Sequence, residues 1–157
     1  YQYYLDAVKR DGVAYDLITK ALPTIEGEVN NILSQLVDFQ MLFEMDGKNI
    51  NNYIVYDDDN VWPLELSSGM ERFISSLAIR VALINVSNLP RSNFLAIDEG
   101  WGTMDSDNLN SVYSLFQYLK SQFQFTLIVS HIDSMRDAVD TLLEIKKEKD
   151  YSNINFG

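Results

Sequence analysis

Two apolar runs in this chain each end on titratable side chains. Phe94-Leu95-Ala96-Ile97 leads into Asp98 and Glu99, and Leu127-Ile128-Val129-Ser130 leads into His131, the chain's only histidine. Short, continuously apolar runs are the pattern of strands in a parallel sheet rather than of strands with one wet face. In an open α/β sheet ligands bind at the strand ends, where side chains leave the packed core and meet solvent. A carboxylate pair and an imidazole brought to one edge mark a place where chemistry is expected.

The pattern around these runs supports the same architecture. After Pro63 the chain alternates: helix from about Glu71 to Asn85, strand 94–98, helix 107–121, strand 125–130, a short helix, then strand 141–145. Such alternation implies an α/β fold of parallel neighbours joined by right-handed crossovers. Helix 107–121 would present Leu109, Val112, Tyr113, Phe116 and Leu119 on one face, and the run Phe125 to Val129 reads as a strand covered on both sides. Residues before about Asp38 read as helical, with Gly12 as a stop and Pro23 in the first turn of the next helix. Ile25, Val29, Ile32, Leu33 and Leu36 recur there at helical spacing as a core-packing stripe. Phe39 to Glu44 and Ile50 to Tyr56 flank Asp46-Gly47, a strong hairpin signal. No internal repeat or flexible linker is evident.

Composition bounds the function classes. With 157 residues, 46% hydrophobic and 22% charged, the chain has the makings of one domain or a large lobe with a substantial core. A formal net charge of −11 argues against a general phosphate-backbone binder, so any DNA contact would be local or supplied by another part. Asp57, Asp58 and Asp59 read as a solvated loop. The chain has no cysteine, which excludes disulfides and thiolate metal sites. Neither a run near the roughly 20 apolar residues needed to span a bilayer nor a basic-apolar signal segment is present, and the reading is an intracellular protein. The first residue is Tyr1 rather than methionine, which suggests a piece of a longer chain.

A third constellation is Leu66-Ser67-Ser68-Gly69-Met70-Glu71-Arg72, where a β-rich run meets an amphipathic helix bearing Phe73, Leu77, Ala78, Val81 and Ala82. Glycine lets a ligand approach the backbone, and the free amides of a helix start favour an anion such as phosphate. The same residues also satisfy a capping box, in which Ser68 and Glu71 cap each other's amides with no ligand involved. Both readings stand at this point. Similar alternatives attach elsewhere: Asp98 and Glu99 as solvated acids, His131 as a core histidine, Arg72 and Arg80 as helix-surface charges, and Asp105 as an N-cap.

Serine-glycine helix start, acid pair and histidine, in this order and spacing, resemble the C-terminal lobe of ABC-type (P-loop NTPase) ATPase heads, closest to the SMC-like DNA-repair ATPases of the SbcC and Rad-fifty type. The helix start resembles the S-G-G-E/Q signature, and Phe94 to Glu99 the Walker B strand. Gly100-Trp101-Gly102-Thr103-Met104-Asp105 resembles the D-loop, and Ser130-His131 the histidine switch. The tail from Asp133 to Asp140, leading into Leu142-Leu143-Glu144-Ile145, is similar to the segment after that histidine.

This resemblance implies ATP and Mg²⁺ as cofactors, with Asp98 holding the metal, Glu99 orienting or deprotonating the attacking water, and His131 contacting the γ-phosphate or that water. It implies that Ser68, Gly69 and Glu71 meet a nucleotide held by the opposing subunit, with Asp105 at the subunit interface. The implied partners are an N-terminal ATPase lobe of the same protein, a second copy in a homodimer, a Mre-eleven-type nuclease, and DNA ends. Residues 1–38 would be helices at the base of a returning coiled coil, and 39–157 the ATPase lobe. Two departures stand out. Met70 replaces the second signature glycine, and no G-x-x-x-x-G-K-[ST] occurs, so the chain by itself lacks the phosphate-cradling loop. A chromosome-organising SMC or RecN-like ATPase and a degenerate, non-catalytic interaction lobe are the alternative readings.

Overall fold

Apolar residues at helical spacing from Leu22 to Leu33 lie on the buried face of a long helix. In the computed structural model, which describes residues 1–9, 12–47, 49–98, 109–149 and 151–156, this helix, α2, spans Val13–Leu33 and follows a short α1 at Gln2–Val8. Leu22, Val29, Ile32 and Leu33 are buried, as is Leu36 just beyond the helix, and Ile25 is half-buried. Pro23 lies inside α2 rather than in its first turn. Proline removes one backbone donor, and the carbonyl deprived of it belongs to exposed Thr19, where water can replace the bond. Gly12 sits at the break between the helices. A Cβ there would stand 2.3 Å from the Ala7 carbonyl oxygen, so this close approach admits only glycine.

The Asp46-Gly47 signal produces the expected hairpin. β1 (Gln40–Asp46) runs antiparallel to β2 (Asn49–Asp57) with Asp46 opposite Asn49, and Gly47 takes a φ of +58°. A third strand, β3 (Asn60–Pro63), was not apparent in the sequence; it pairs with β2 through a tight acidic turn. There the Asp57 carboxylate accepts from the Asp59 amide at 3.0 Å and from Asn60 Nδ2 at 2.7 Å, so the aspartate run is a surface turn.

The sheet order is β1-β2-β3, which leaves β1 at an edge. Side chains of α2 occupy that edge. Asn30 Nδ2 donates to the Met41 carbonyl at 2.9 Å, Asn30 Oδ1 accepts from the Met41 amide at 2.8 Å, and Glu26 Oε2 accepts from the Phe43 amide at 2.8 Å. Two helix side chains four residues apart thus act as a neighbouring strand and satisfy groups that would otherwise template pairing with another chain.

A 3-10 turn at Leu64–Leu66 leads into α3 (Gly69–Val86), which packs on α2 and buries Ile74, Leu77, Ala78, Val81 and Ala82. Asn85 Nδ2 donates to Glu28 Oε1 at 2.6 Å and ties the two helices. Within α3, Ser75 is fully buried and its hydroxyl has no hydrogen-bond partner among the described residues. An unpaired buried hydroxyl opposes folding, so Ser75→Ala is expected to stabilise by about 1 kcal/mol. Calorimetry should register a Tm rise of about 2–4 °C, and a lowered Tm would show that the hydroxyl does have a partner.

Two compact units divide the chain, Tyr1–Ser92 and Asn93–Gly157. In the second, β4 (Phe94–Asp98) and β5 (Phe125–Val129) pair in parallel, with α4 (Leu109–Gln122) between them in sequence. Val112, Leu115, Phe116, Tyr118 and Leu119 of α4 are buried. Tyr113, expected on that face, remains 39% exposed and Leu115 takes its place; Leu109, also expected there, lies outside the described side chains.

Among the described residues, β5 is not covered on both sides. Phe125, Leu127 and Val129 are 58%, 45% and 47% exposed, and Phe125 stacks on Phe94 with ring centroids 5.5 Å apart. A sheet of two strands with one helix between them has too little structure to cover both faces. The short helix after His131 is a 3-10 segment, Asp133–Ala138. The last expected strand, placed at 141–145, forms as β6 (Leu143–Glu148), which pairs antiparallel with β7 (Tyr151–Phe156) instead of extending the parallel ladder. No helix among the described residues is long and apolar enough to cross a membrane.

Candidate functional site

In the first unit, the change from extended backbone to helix occurs at Ser68, the N-cap of α3. Its Oγ accepts from the Glu71 amide at 3.3 Å, and its own amide donates to Glu71 Oε2 at 2.6 Å. The capping box is therefore formed. It is compatible with anion binding, because the Gly69 amide, first in the helix, is not used by the box. The Met70 side chain is buried, so a bulkier residue than glycine is accommodated by pointing into the core.

Glu71 receives a third bond that the sequence did not signal. Tyr56 Oη, at the end of β2, donates to Glu71 Oε1 at 2.7 Å. Burial works to raise the Glu71 pKa, but the bonds from Tyr56 and Ser68 outweigh it and hold the carboxyl below its ordinary range. Tyr56 is pushed the other way, up to about 12, by burial first and then by its bond to the Glu71 carboxylate. A tyrosine near a strand end carries no local sign of a partner on a later helix; only the fold reveals the pair.

In the second unit, the parallel register sets Asp98 opposite Val129, the last residue of β5, with Ser130 and His131 immediately beyond. Asp98 and His131 thus leave the carboxyl ends of adjacent parallel strands, the expected location for a ligand site in such a sheet. Both are exposed, which rules out the core-histidine reading of His131. The turn that carries the histidine is built locally: Ser130 Oγ accepts from the Ile132 amide at 3.1 Å and donates to Met135 Sδ at 3.2 Å, and Met135 is buried.

Behind this turn, Arg136 donates to Asp133 Oδ1 at 3.0 Å and to Glu144 Oε1 at 2.7 Å, and Lys146 lies 2.9 Å from Glu144 Oε2. The Arg136 guanidinium, followed by Lys146, holds the Glu144 carboxyl below its usual range. This network ties the segment after His131 to β6.

The predicted site residues therefore fall into two groups. Ser68, Gly69 and Glu71 stand together at the start of α3, while Asp98 and His131 share the end of the parallel ladder. Glu99, the proposed base, and Asp105, with the rest of the D-loop, lie outside the described residues. Asp98 offers an exposed carboxylate oxygen, a donor that Mg²⁺ accepts. Among the described residues no cluster of three His, Cys, Asp or Glu side chains gathers into a metal site. One carboxylate fits an ion that keeps much of its shell for phosphate and water.

The fold sets the structural class: the chain has the architecture of the C-terminal lobe of an SMC-type ATPase head. A solved structure described in terms of ATP-driven dimerization and DNA-stimulated activation of SMC ATPases superposes with a TM-score of 0.72, covering 90% of this chain and 88% of that one, at 15% identity. In sequence, the chain is 36% identical over 170 aligned residues to an uncharacterized protein of Acanthamoeba polyphaga mimivirus, across 98% of this chain. It is 30% identical over 93 residues, 57% of its length, to the SbcC component of the nuclease SbcCD of Staphylococcus aureus. The chain spans only 13% of the viral protein and 9% of the bacterial one. No family model matches it.

Proposed function

We propose that this chain is the C-terminal half of an ATP-hydrolysing head that, completed by an N-terminal Walker A lobe, dimerises around two nucleotides and acts on DNA ends in double-strand-break repair. The observation that carries the proposal is the β4–β5 ladder, in which Asp98 stands opposite Val129, so that Asp98 and His131 leave adjacent strand ends. The exposed apolar face of that ladder supports it too, since parallel sheets are ordinarily covered on both sides.

In this reading Asp98 holds the Mg²⁺ of the nucleotide, which when bound neutralises charge on the transferring phosphoryl oxygens. Glu99 orients the attacking water and takes its proton, and His131 contacts the γ-phosphate or that water. From the opposing head, the Ser68 hydroxyl and Gly69 amide donate to the γ-phosphate, and Asp105 joins the interface between heads. Catalysis then depends on dimerisation, because each nucleotide meets groups from two chains.

The name of the Staphylococcus relative, part of a nuclease, favours the end-processing reading with a Mre-eleven-type nuclease as partner. The SMC-head structural neighbours give weight to a chromosome-organising ATPase as the second reading. Co-expression with the Walker A lobe, followed by ATPase assay, sizing with and without ATP, and pull-down of a nuclease, tests the proposal. The expected result is ATP-dependent dimers with DNA-stimulated hydrolysis and a bound nuclease, whereas this chain alone binds nucleotide weakly and does not turn it over. Turnover without a nuclease selects the second reading, and no ATP binding by the assembled head overturns both.

A further inference from the structure

We infer that Tyr56 is a positioning residue for the phosphate-binding start of α3, an assignment that rests on the proposed role of Ser68 and extends it to a residue outside the signature. The Glu71 carboxylate is shared between two structures. One oxygen, Oε2, accepts from the Ser68 amide at 2.6 Å, and the other, Oε1, accepts from Tyr56 Oη at 2.7 Å. The box alone fixes Glu71 relative to Ser68 within one turn of helix; the phenol fixes that turn relative to the three-stranded sheet.

The phenol is itself held from two directions. Its ring lies 5.6 Å from that of Phe39, just before β1, and 5.4 Å from that of Trp62 in β3. β1 is in turn bonded to α2 through Asn30 and Glu26. Although Tyr56 is 43% exposed, its ring is thus placed by the three-stranded sheet and its α2 partner, and the hydroxyl passes that placement through Glu71 to Ser68. A γ-phosphate arriving from an opposing head needs the Ser68 hydroxyl and Gly69 amide already aimed, because donors that must be ordered on binding return less affinity.

Tyr56→Phe tests the assignment, since it keeps the ring and its aromatic neighbours and removes only the hydroxyl. Three readouts are compared in the protein assembled with its Walker A lobe: nucleotide affinity of single heads, ATP-dependent dimerisation, and thermal stability. Hydrogen exchange of the Ser68 amide is followed in this chain. The expected result is unchanged nucleotide affinity, dimerisation weakened roughly three- to tenfold, a Tm close to wild type, and faster exchange at Ser68 with the interior of α3 still protected. Wild-type dimerisation by Tyr56→Phe, in an assembly that Ser68→Arg disrupts, overturns this assignment while the proposed function stands. Failure of the unmodified assembly to dimerise with ATP overturns both. A large Tm loss with weakened nucleotide binding would make Tyr56 a structural residue only and equally overturn the assignment.

Discussion

Glu99→Gln, introduced in the protein assembled with its Walker A lobe, is expected to leave ATP binding intact while slowing hydrolysis by on the order of 10²–10⁴-fold, the usual worth of a positioned general base. Glutamine keeps the size and the hydrogen-bonding oxygen of glutamate, so it can still orient a water but cannot take its proton. Asp98 is untouched, so the metal and nucleotide remain bound. A dimer held together by two nucleotides is then trapped, because the step that would release it is blocked. Sizing with ATP should show a persistent dimer that the wild type forms only transiently. Normal turnover by Glu99→Gln would remove Glu99 as the base and return the acid pair to a solvated strand end.

Ser68→Arg is expected to abolish ATP-dependent dimerisation, at least about a hundredfold or roughly 2.8 kcal/mol, with nucleotide binding by each separate head preserved. Two losses combine. Arginine cannot accept the Glu71 amide bond, so the cap is lost at a cost of about 1 kcal/mol, and a long side chain now stands where the γ-phosphate of the opposing head would approach the Gly69 amide. The cap alone is a small part of the 5–15 kcal/mol that stabilises a typical domain, so the lobe should remain folded. Analytical ultracentrifugation with and without ATP, beside a nucleotide-binding assay on single heads, separates the outcomes. Parallel loss of both properties would indicate misfolding and withdraw the assignment of Ser68.

Several features of the fold were legible because they depend on neighbours in sequence. The turn at Asp46-Gly47 folds as written, since a positive φ is available to glycine wherever it occurs. The runs 94–98 and 125–129 form strands and pair in parallel, since a helix lies between them in sequence and makes a tight antiparallel return impossible. The Ser68–Glu71 capping box also follows from spacing alone. Other features were hidden for an equally physical reason. β3 is only four residues long and ends on a proline, and β7 carries mixed polar and apolar residues, so neither stands out in sequence; each is a strand through its pairing with β2 or β6. Pro23 was misplaced because the apolar spacing that continues past it outweighs one lost backbone bond in an exposed stretch.

Local pattern thus singled out the candidates for chemistry, the Asp98-Glu99 pair and His131 after apolar runs and Ser68 with Gly69 before a helical one, because strand runs, caps and turns are encoded over a few adjacent residues. Tertiary structure alone decided which side chains distant in sequence meet and which apolar ones stay open. The Tyr56–Glu71 bond, the Asn30 and Glu26 bonds along the edge of β1, and the open face of Phe125, Leu127 and Val129 join or expose positions far apart in the chain. The physical reason is that hydrogen bonding and burial act through space, and only the folded backbone says which distant side chains share it.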